Sequence, residues 1–213
     1  MKKLFLLSFI VVLTLFIAPL NAQLQIQIGP KAGISIASVG GDDSDAFLGE
    51  SLDSRFGFGG GIFVMFQFGN IFAVQPEVYY SMKGATWTQN SVDLTLALDY
   101  MEVPVLLKVI IPVEGSSVRP SIFVGPVLGF NTTAEIEGEG SSQTASEDVS
   151  DFVQSTDFSL VFGGGLGIMV GMHELGFDIR YNLGLKSFDD SSGNFDINNS
   201  AINFNVYFGF SVL

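Results

Sequence analysis

The last stretch of the chain, residues 201–213, alternates strictly between apolar and polar or small side chains. The even positions from Ile202 to Val212 are all apolar and include three phenylalanines. A period of two indicates a β-strand with two different faces. The same alternation recurs along the chain and predicts eight strands, at residues 25–37, 55–68, 71–83, 92–110, 119–131, 157–171, 174–186 and 201–213.

The seven connections between these strands differ in length in a regular way. The first, fifth and seventh (38–54, 132–156 and 187–200) are long and polar, the third (84–90) is of intermediate length, and the others are short turns. Outer-membrane barrels have short periplasmic turns and longer extracellular loops. With both ends of the chain in the periplasm, every longer connection is predicted to lie outside the cell.

The basic residues decide which face of the strands meets lipid. All seven Lys and Arg side chains after residue 22 fall on the polar face of their strand. A cation at the middle of the lipid-facing surface costs about 2–4 kcal/mol, whereas inside a barrel it can pair with a carboxylate. A soluble barrel predicts the reverse, with apolar residues inside. We therefore predict an all-β fold, an eight-stranded antiparallel up-and-down transmembrane β-barrel.

The interior of an eight-stranded barrel is just wide enough for its own side chains. We expect the inward charges to form a paired network that fills the lumen; the alternative is a narrow porin-like channel for small solutes. The predicted network comprises Lys31, Arg55, Glu77, Lys83, Glu102, Lys108, Arg119, Glu174, Asp178, Arg180 and Lys186.

The N-terminus has the pattern of a targeting segment. Lys2 and Lys3 precede an apolar run at residues 4–17, and Ala22 follows as a small residue suited to cleavage. This order is typical of a secretory signal peptide; the alternative, a membrane anchor, is disfavoured because the run is short for spanning a bilayer. We predict a signal peptide at 1–22, a barrel domain at 23–213, and export to the outer membrane of a Gram-negative bacterium.

The composition excludes some classes of binding partner and of metal site. The chain carries a formal charge of −13, which argues against nucleic acid because phosphate binding needs clustered Lys and Arg. It has no cysteine, which excludes disulfides and thiolate metal sites. The expected partners are outer-membrane lipid and lipopolysaccharide, together with other envelope or secretion proteins. No cofactor is predicted.

The three long connections hold 14 of the 22 carboxylates. Such acidic segments are typical of a solvated surface, and the functional alternative is capture of divalent cations or adhesion to a cationic partner. The candidate Ca²⁺ ligands are Glu135, Glu137, Glu139, Asp42, Asp43 and Asp45. A catalytic function is not predicted, because the single histidine, His173, lies in a predicted periplasmic turn.

Several short motifs resemble a known family. They are the segments 29–33 (GPKAG), 76–81 (PEVYYS), 100–104 (YMEVP) and 120–126 (PSIFVGP). Together they are similar to the small outer-membrane β-barrel proteins of Bacteroidetes, the porin family that includes PorT-like proteins. The resemblance implies fold and compartment. For a PorT-like protein it also implies an accessory role in protein secretion. From the filled lumen and the acidic connections together we predict a structural, adhesive or scaffolding role at the cell envelope.

Overall fold

A computed structural model describes residues 24–40, 52–89, 92–139, 144–185 and 198–212. Within these ranges a single 3₁₀ turn, Ser150–Phe152, interrupts the strands, and no helix there has the length and apolarity to cross a membrane. The predicted signal peptide lies outside these ranges. The strands are β1 Leu24–Gly40, β2 Asp53–Phe68, β3 Phe72–Gln89, β4 Val92–Ile110, β5 Val118–Glu139, β6 Thr144–Asp148, β7 Thr156–Val170, β8 His173–Gly184 and β9 Asn198–Ser211.

Eight of the nine strands form a closed antiparallel barrel. Sequential neighbours pair from β1 to β5, β5 pairs with β7, and β7, β8 and β9 continue around the sheet. The barrel closes where β1 pairs with β9, for example at Ile28 opposite Phe210. Strand β6 lies outside this ring and pairs with the end of β5. The predicted eight-stranded transmembrane barrel is confirmed.

The two faces of the wall follow the alternation in the sequence. Outward apolar side chains such as Ile62, Ile122 and Val206 are more than half exposed. Inward positions in the same strands are buried and mostly polar, charged or aromatic. An outward apolar band with a polar interior is the arrangement that lipid requires.

Two predicted loops are strand instead. Strand β3 continues through residues 84–89, and β5 continues through 132–139, where it pairs with both β4 and β6. The loop prediction was wrong because these residues lie beyond the lipid-facing band, where the outer face is polar and threonine replaces the bulky apolar residues. Thr86 pairs with Thr95, and β-branched threonine favours strands. We call this structure, residues 84–89, 92–99, 131–139 and 144–148, the extracellular extension, after the side of the membrane on which the alternating connection lengths predict it to lie.

Glycines on the inner face make room for large inward side chains. A Cβ at Gly176 would lie 2.0 Å from the Tyr207 ring, and one at Gly59 would lie 2.3 Å from the Tyr79 hydroxyl. A Cβ at Gly163 would lie 2.8 Å from the Phe123 ring. The glycine rows of β2 and β7 therefore serve close packing within the lumen.

Candidate functional site

The centre of the lumen holds a four-membered charge cluster. Lys31 Nζ lies 2.8 Å from Glu77 Oε1 and 2.9 Å from Asp178 Oδ2. Arg180 binds the same two carboxylates, at 2.9 Å from Glu77 and 3.1 Å from Asp178. All four side chains are at most 4% exposed, so the pairs lie in a dry environment where an unpaired charge is costly. We call these four residues the central cluster.

A second group lies closer to the extracellular end. Lys83 Nζ lies 2.6 Å from Glu102 and 3.5 Å from Asp157. Arg55 lies 2.8 Å from Asp99 and also donates to the carbonyl of Lys83. These five residues join strands β2, β3, β4 and β7 across the lumen, and we call them the outer cluster.

A third group lies near the periplasmic end. Arg119 binds Glu174 at 2.8 Å and donates to Gln67. The Tyr207 hydroxyl donates to the same glutamate at 2.8 Å. The Lys108 ammonium lies 5.2 Å above the Tyr207 ring, within the range of a cation–π interaction. Lys108 takes part in none of the ion pairs found among the described residues.

Of the residues that the sequence assigned to the lumen network, the structure describes all but Lys186, which lies outside the described ranges. The described ones face the lumen, and two carboxylates join them that the sequence reasoning missed. Asp157 lies at an inward position of β7, so the alternation of that strand could have identified it. Asp99 lies on the outward parity of β4 and is nevertheless buried, where it binds Arg55 and accepts from the Tyr80 hydroxyl, beside a β-bulge in which β5 carries one extra residue, Thr132.

Charge balances inside the described barrel. Six cations face six carboxylates there: Lys31, Arg55, Lys83, Lys108, Arg119 and Arg180, and Glu77, Asp99, Glu102, Asp157, Glu174 and Asp178. The large negative charge of the chain therefore belongs to residues outside the lumen. All of these groups except Lys108 take part in the ion pairs described above, and an interior with no net charge has no excess field to attract ions of either sign.

Apolar side chains fill the space left by the charges. Phe63, Met65 and Tyr207 pack together in the periplasmic half, with the Phe63 and Tyr207 rings 5.5 Å apart and edge to face. Phe123, Leu106 and their neighbours form a second group. These side chains are at most 6% exposed.

The extracellular end of the lumen is occupied by a third apolar group, which we call the mouth cluster. Trp87, Leu96, Leu98 and Tyr100 are its large buried members. Apart from Tyr100, which directly adjoins it, they come from the inner face of the extracellular extension. Together with Val39 of β1 they form a small core above the lipid-facing band. The extension is thereby held as an ordered sheet.

The outer face of the extension is acidic. It presents Asp93, Glu135, Glu137 and Asp148, with Glu135 directly opposite Asp148 across β5 and β6. Residues 84–99 and 131–155 contain no Lys or Arg to offset these charges. The backbone N–H of Ser150 donates to the Asp148 carboxylate and lowers its pKa, which favours the charged form.

The candidate Ca²⁺ ligands are only partly described. Glu135 and Glu137 lie on this outer face, whereas Asp42, Asp43, Asp45 and the Glu139 side chain fall outside the described set. Among the residues that the structure describes, no three carboxylates or histidines come together closely enough to hold a metal ion. His173 lies beside the β7–β8 turn, with its ring 5.6 Å from that of Phe210.

Comparisons with known proteins give one family match and several similar solved structures. The family model described as "Outer membrane protein beta-barrel domain" matches residues 21–190. No curated protein matches the chain. Similar solved structures include Neisserial surface protein A, with 16% identity, a TM-score of 0.48, and coverage of 87% of this chain and 97% of that one.

Two further solved structures have comparable coverage. OprG from Pseudomonas aeruginosa is 14% identical with a TM-score of 0.44, and the match covers 89% of this chain and 94% of that one. Ail, the attachment invasion locus protein of Yersinia pestis, solved with the heparin analogue sucrose octasulfate, is also 14% identical with a TM-score of 0.44. That match covers 87% of this chain and 99% of Ail.

Proposed function

The chain belongs to the outer membrane protein β-barrel domain family, and from this premise we propose that it is a non-conducting membrane anchor that presents an acidic interaction surface outside the cell. The observation that carries the proposal is the difference between the lumen and the extension along the barrel axis. Ion pairs and the mouth cluster fill the lumen, while the extracellular extension carries carboxylates without basic neighbours on an ordered sheet.

The filled lumen argues for an anchor and against the channel alternative. A conducting barrel needs a continuous aqueous path, but three charge groups and the mouth cluster follow one another along the axis. Opening such a path would require breaking ion pairs in which the charged nitrogen and the carboxylate oxygen are at most 3.5 Å apart. Broken buried pairs cost about 3–5 kcal/mol each.

Planar-bilayer recording of the purified protein tests this part. We expect no conductance steps comparable to those of general porins. Steps of that size in the wild-type protein would contradict the closed lumen and favour the narrow-channel alternative. The same recording on a Lys83→Ala variant serves as a control, because it removes the cation that holds two carboxylates of the outer cluster.

The extension argues for a cationic partner. Its outer face carries carboxylates without basic neighbours, so its field attracts positive charge and is screened by salt. We propose adhesion to, or scaffolding of, basic surfaces at the cell envelope, including divalent cations that bridge to the phosphates of lipopolysaccharide. Cells that carry a triple variant, E135Q with E137Q and D148N, should adhere less to a cationic surface than wild-type cells at low salt. Equal adhesion would contradict this role.

Calcium binding by the acidic residues is a narrower form of the same proposal. Calorimetric titration with Ca²⁺ tests it, and the triple variant is the matched control. Heat at millimolar Ca²⁺ that the variant lacks would support the proposal. No heat from the wild-type protein would remove it.

A secretion accessory of the PorT-like kind is the second role that the sequence resemblance favours. Crosslinking in intact cells followed by purification of the barrel tests it. Recovery of secretion-system components is the expected result for this role. If none of them is recovered, the secretion-accessory role is contradicted and the anchor role remains.

We also propose that the chain is exported as a precursor and cleaved after Ala22. The pattern of Lys2, Lys3 and the apolar run supports this. N-terminal sequencing of the outer-membrane form should begin at Gln23. A form that retains Met1 would contradict cleavage and favour an N-terminal anchor.

A further inference from the structure

Four polar side chains lie between the central cluster and the outer cluster. Each lies on a strand that also carries a residue of the central cluster or one bonded to it, and each is two or four residues closer to the predicted extracellular end. They are Ser35 on β1, Ser81 on β3, Asn182 on β8 and Asn203 on β9. The register of β1 and β9 places Ser35 directly opposite Asn203. We call these four residues the polar belt.

The belt is buried, and its hydrogen-bonding capacity is unused within the protein. Ser35, Ser81 and Asn203 are 0% exposed, and Asn182 is 3% exposed. The hydroxyl oxygens of both serines, the Asn182 carbonyl oxygen and both amide atoms of Asn203 have no protein partner. Five buried polar atoms therefore belong to one level of the lumen.

Asn205, two residues from Asn203, shows that the lumen can supply an inward asparagine with protein partners. It has the same inward direction and is also 0% exposed. Its amide nitrogen donates to Asp178 at 2.8 Å, and its carbonyl oxygen accepts from the Tyr79 hydroxyl at 2.7 Å. The lumen thus gives both amide atoms of one asparagine a protein partner and leaves both amide atoms of the next one without any.

Such an arrangement is stable only if something else supplies the bonds. Buried polar groups in native proteins are nearly always hydrogen-bonded, and a buried water typically makes about three bonds to groups of this kind. A serine hydroxyl can donate or accept, and the Asn182 oxygen needs a donor, which water provides. A cation would also suit the oxygens, but the lumen already balances six cations with six carboxylates.

We propose that the polar belt is a binding site for a cluster of ordered water molecules, held between the two ion-pair clusters. The waters connect β1, β3, β8 and β9 at a level where no direct side-chain bonds join the belt residues. The lumen is then a closed but partly hydrated core, in which water is a structural ligand.

The first test is NMR of the amide-labelled protein in nanodiscs. The Asn203 side-chain amide protons should show through-space cross peaks to long-lived water, whereas those of Asn205, which bond to Asp178, should not. Through-bond correlation to the backbone assigns both signals, so no variant needs to fold. Water cross peaks at neither position, or equal peaks at both, would overturn the proposal.

A second test separates water from a bound monovalent cation. The melting temperature is measured in potassium chloride and in choline chloride at equal ionic strength, since choline is too large for the belt. We expect the same melting temperature in both salts. If the melting temperature of the wild-type protein is lower in choline chloride than in potassium chloride, and that of an Asn203→Ala variant is the same in both, the water assignment is overturned in favour of a cation.

Discussion

The central cluster makes a sharp energetic prediction. Glu77 is 3% exposed and accepts from Lys31 at 2.8 Å, from Arg180 at 2.9 Å and from Gln75 at 2.7 Å. A Glu77→Gln substitution keeps the size of the side chain and removes its charge. Lys31 and Arg180 would then share one remaining carboxylate, Asp178.

The expected loss follows from the burial of both partners. Removing one member of a buried ion pair costs about 3–5 kcal/mol, because the partner charge stays in a dry environment. Glu135→Gln on the acidic outer face is the matched control. Exposed charges contribute about 0–1 kcal/mol, so this control should unfold almost as the wild type does.

Unfolding by urea in phospholipid vesicles measures both variants. Trp87 is the single tryptophan of the chain and is 6% exposed in the mouth cluster, so its fluorescence reports loss of the barrel. We expect E77Q to lower the free energy of unfolding by about 3–5 kcal/mol relative to E135Q. A difference below about 1 kcal/mol would refute the claim that the central cluster is a dry, paired network.

Three other substitutions test the rest of the wall. Gly176→Val should prevent the heat-dependent gel shift of a folded barrel, because even a Cβ at this position lies 2.0 Å from the Tyr207 ring; Gly164→Ala on the lipid face, 3.4 Å from its nearest neighbour, should keep the shift. Val105→Arg on the lipid-facing side of β4 should cost about 2–4 kcal/mol in the urea assay, and no loss would place this residue outside the lipid. Leu98→Ala should cost about 2–5 kcal/mol and shift the Trp87 emission to longer wavelength, since Leu98 is fully buried in the mouth cluster; an unchanged spectrum would contradict a packed extension.

The barrel could be predicted from the sequence because lipid imposes a simple rule on every strand. An apolar side chain must face outward at every second position, so the parity of residues such as Phe210 and Lys31 fixes the direction of the whole strand. Lys31, Glu77, Asp178 and Arg180 could be assigned to the lumen in this way. Which of them bind each other depends on the register and on the curvature of the wall, and parity does not contain that information.

Outside the lipid-facing band the outer face is polar and the inner face is apolar, the reverse of the arrangement within the band. The sequence predicted loops there, and that prediction was wrong. In the extracellular extension Leu96 and Leu98 point inward, whereas Thr95 and Glu137 point outward. The β-bulge beside Asp99 lies at the boundary: β5 carries the extra residue Thr132 there, so its buried positions change from odd, as at Val127, to even, as at Ala134. A polar outer face with Thr and Glu therefore looked like a loop, although an inner apolar row accompanied it.

The central claim is a closed lumen below an ordered extracellular extension, and cysteine accessibility tests it most directly. The chain has no cysteine, so single substitutions give an unambiguous signal with a charged, membrane-impermeant thiol reagent. Ser146→Cys on β6 should react in intact cells, Ser116→Cys in the periplasmic turn only after the outer membrane is permeabilised, and Ser81→Cys in the lumen only after unfolding. Reaction of the lumen cysteine in the folded protein at the rate of the β6 cysteine would contradict the account.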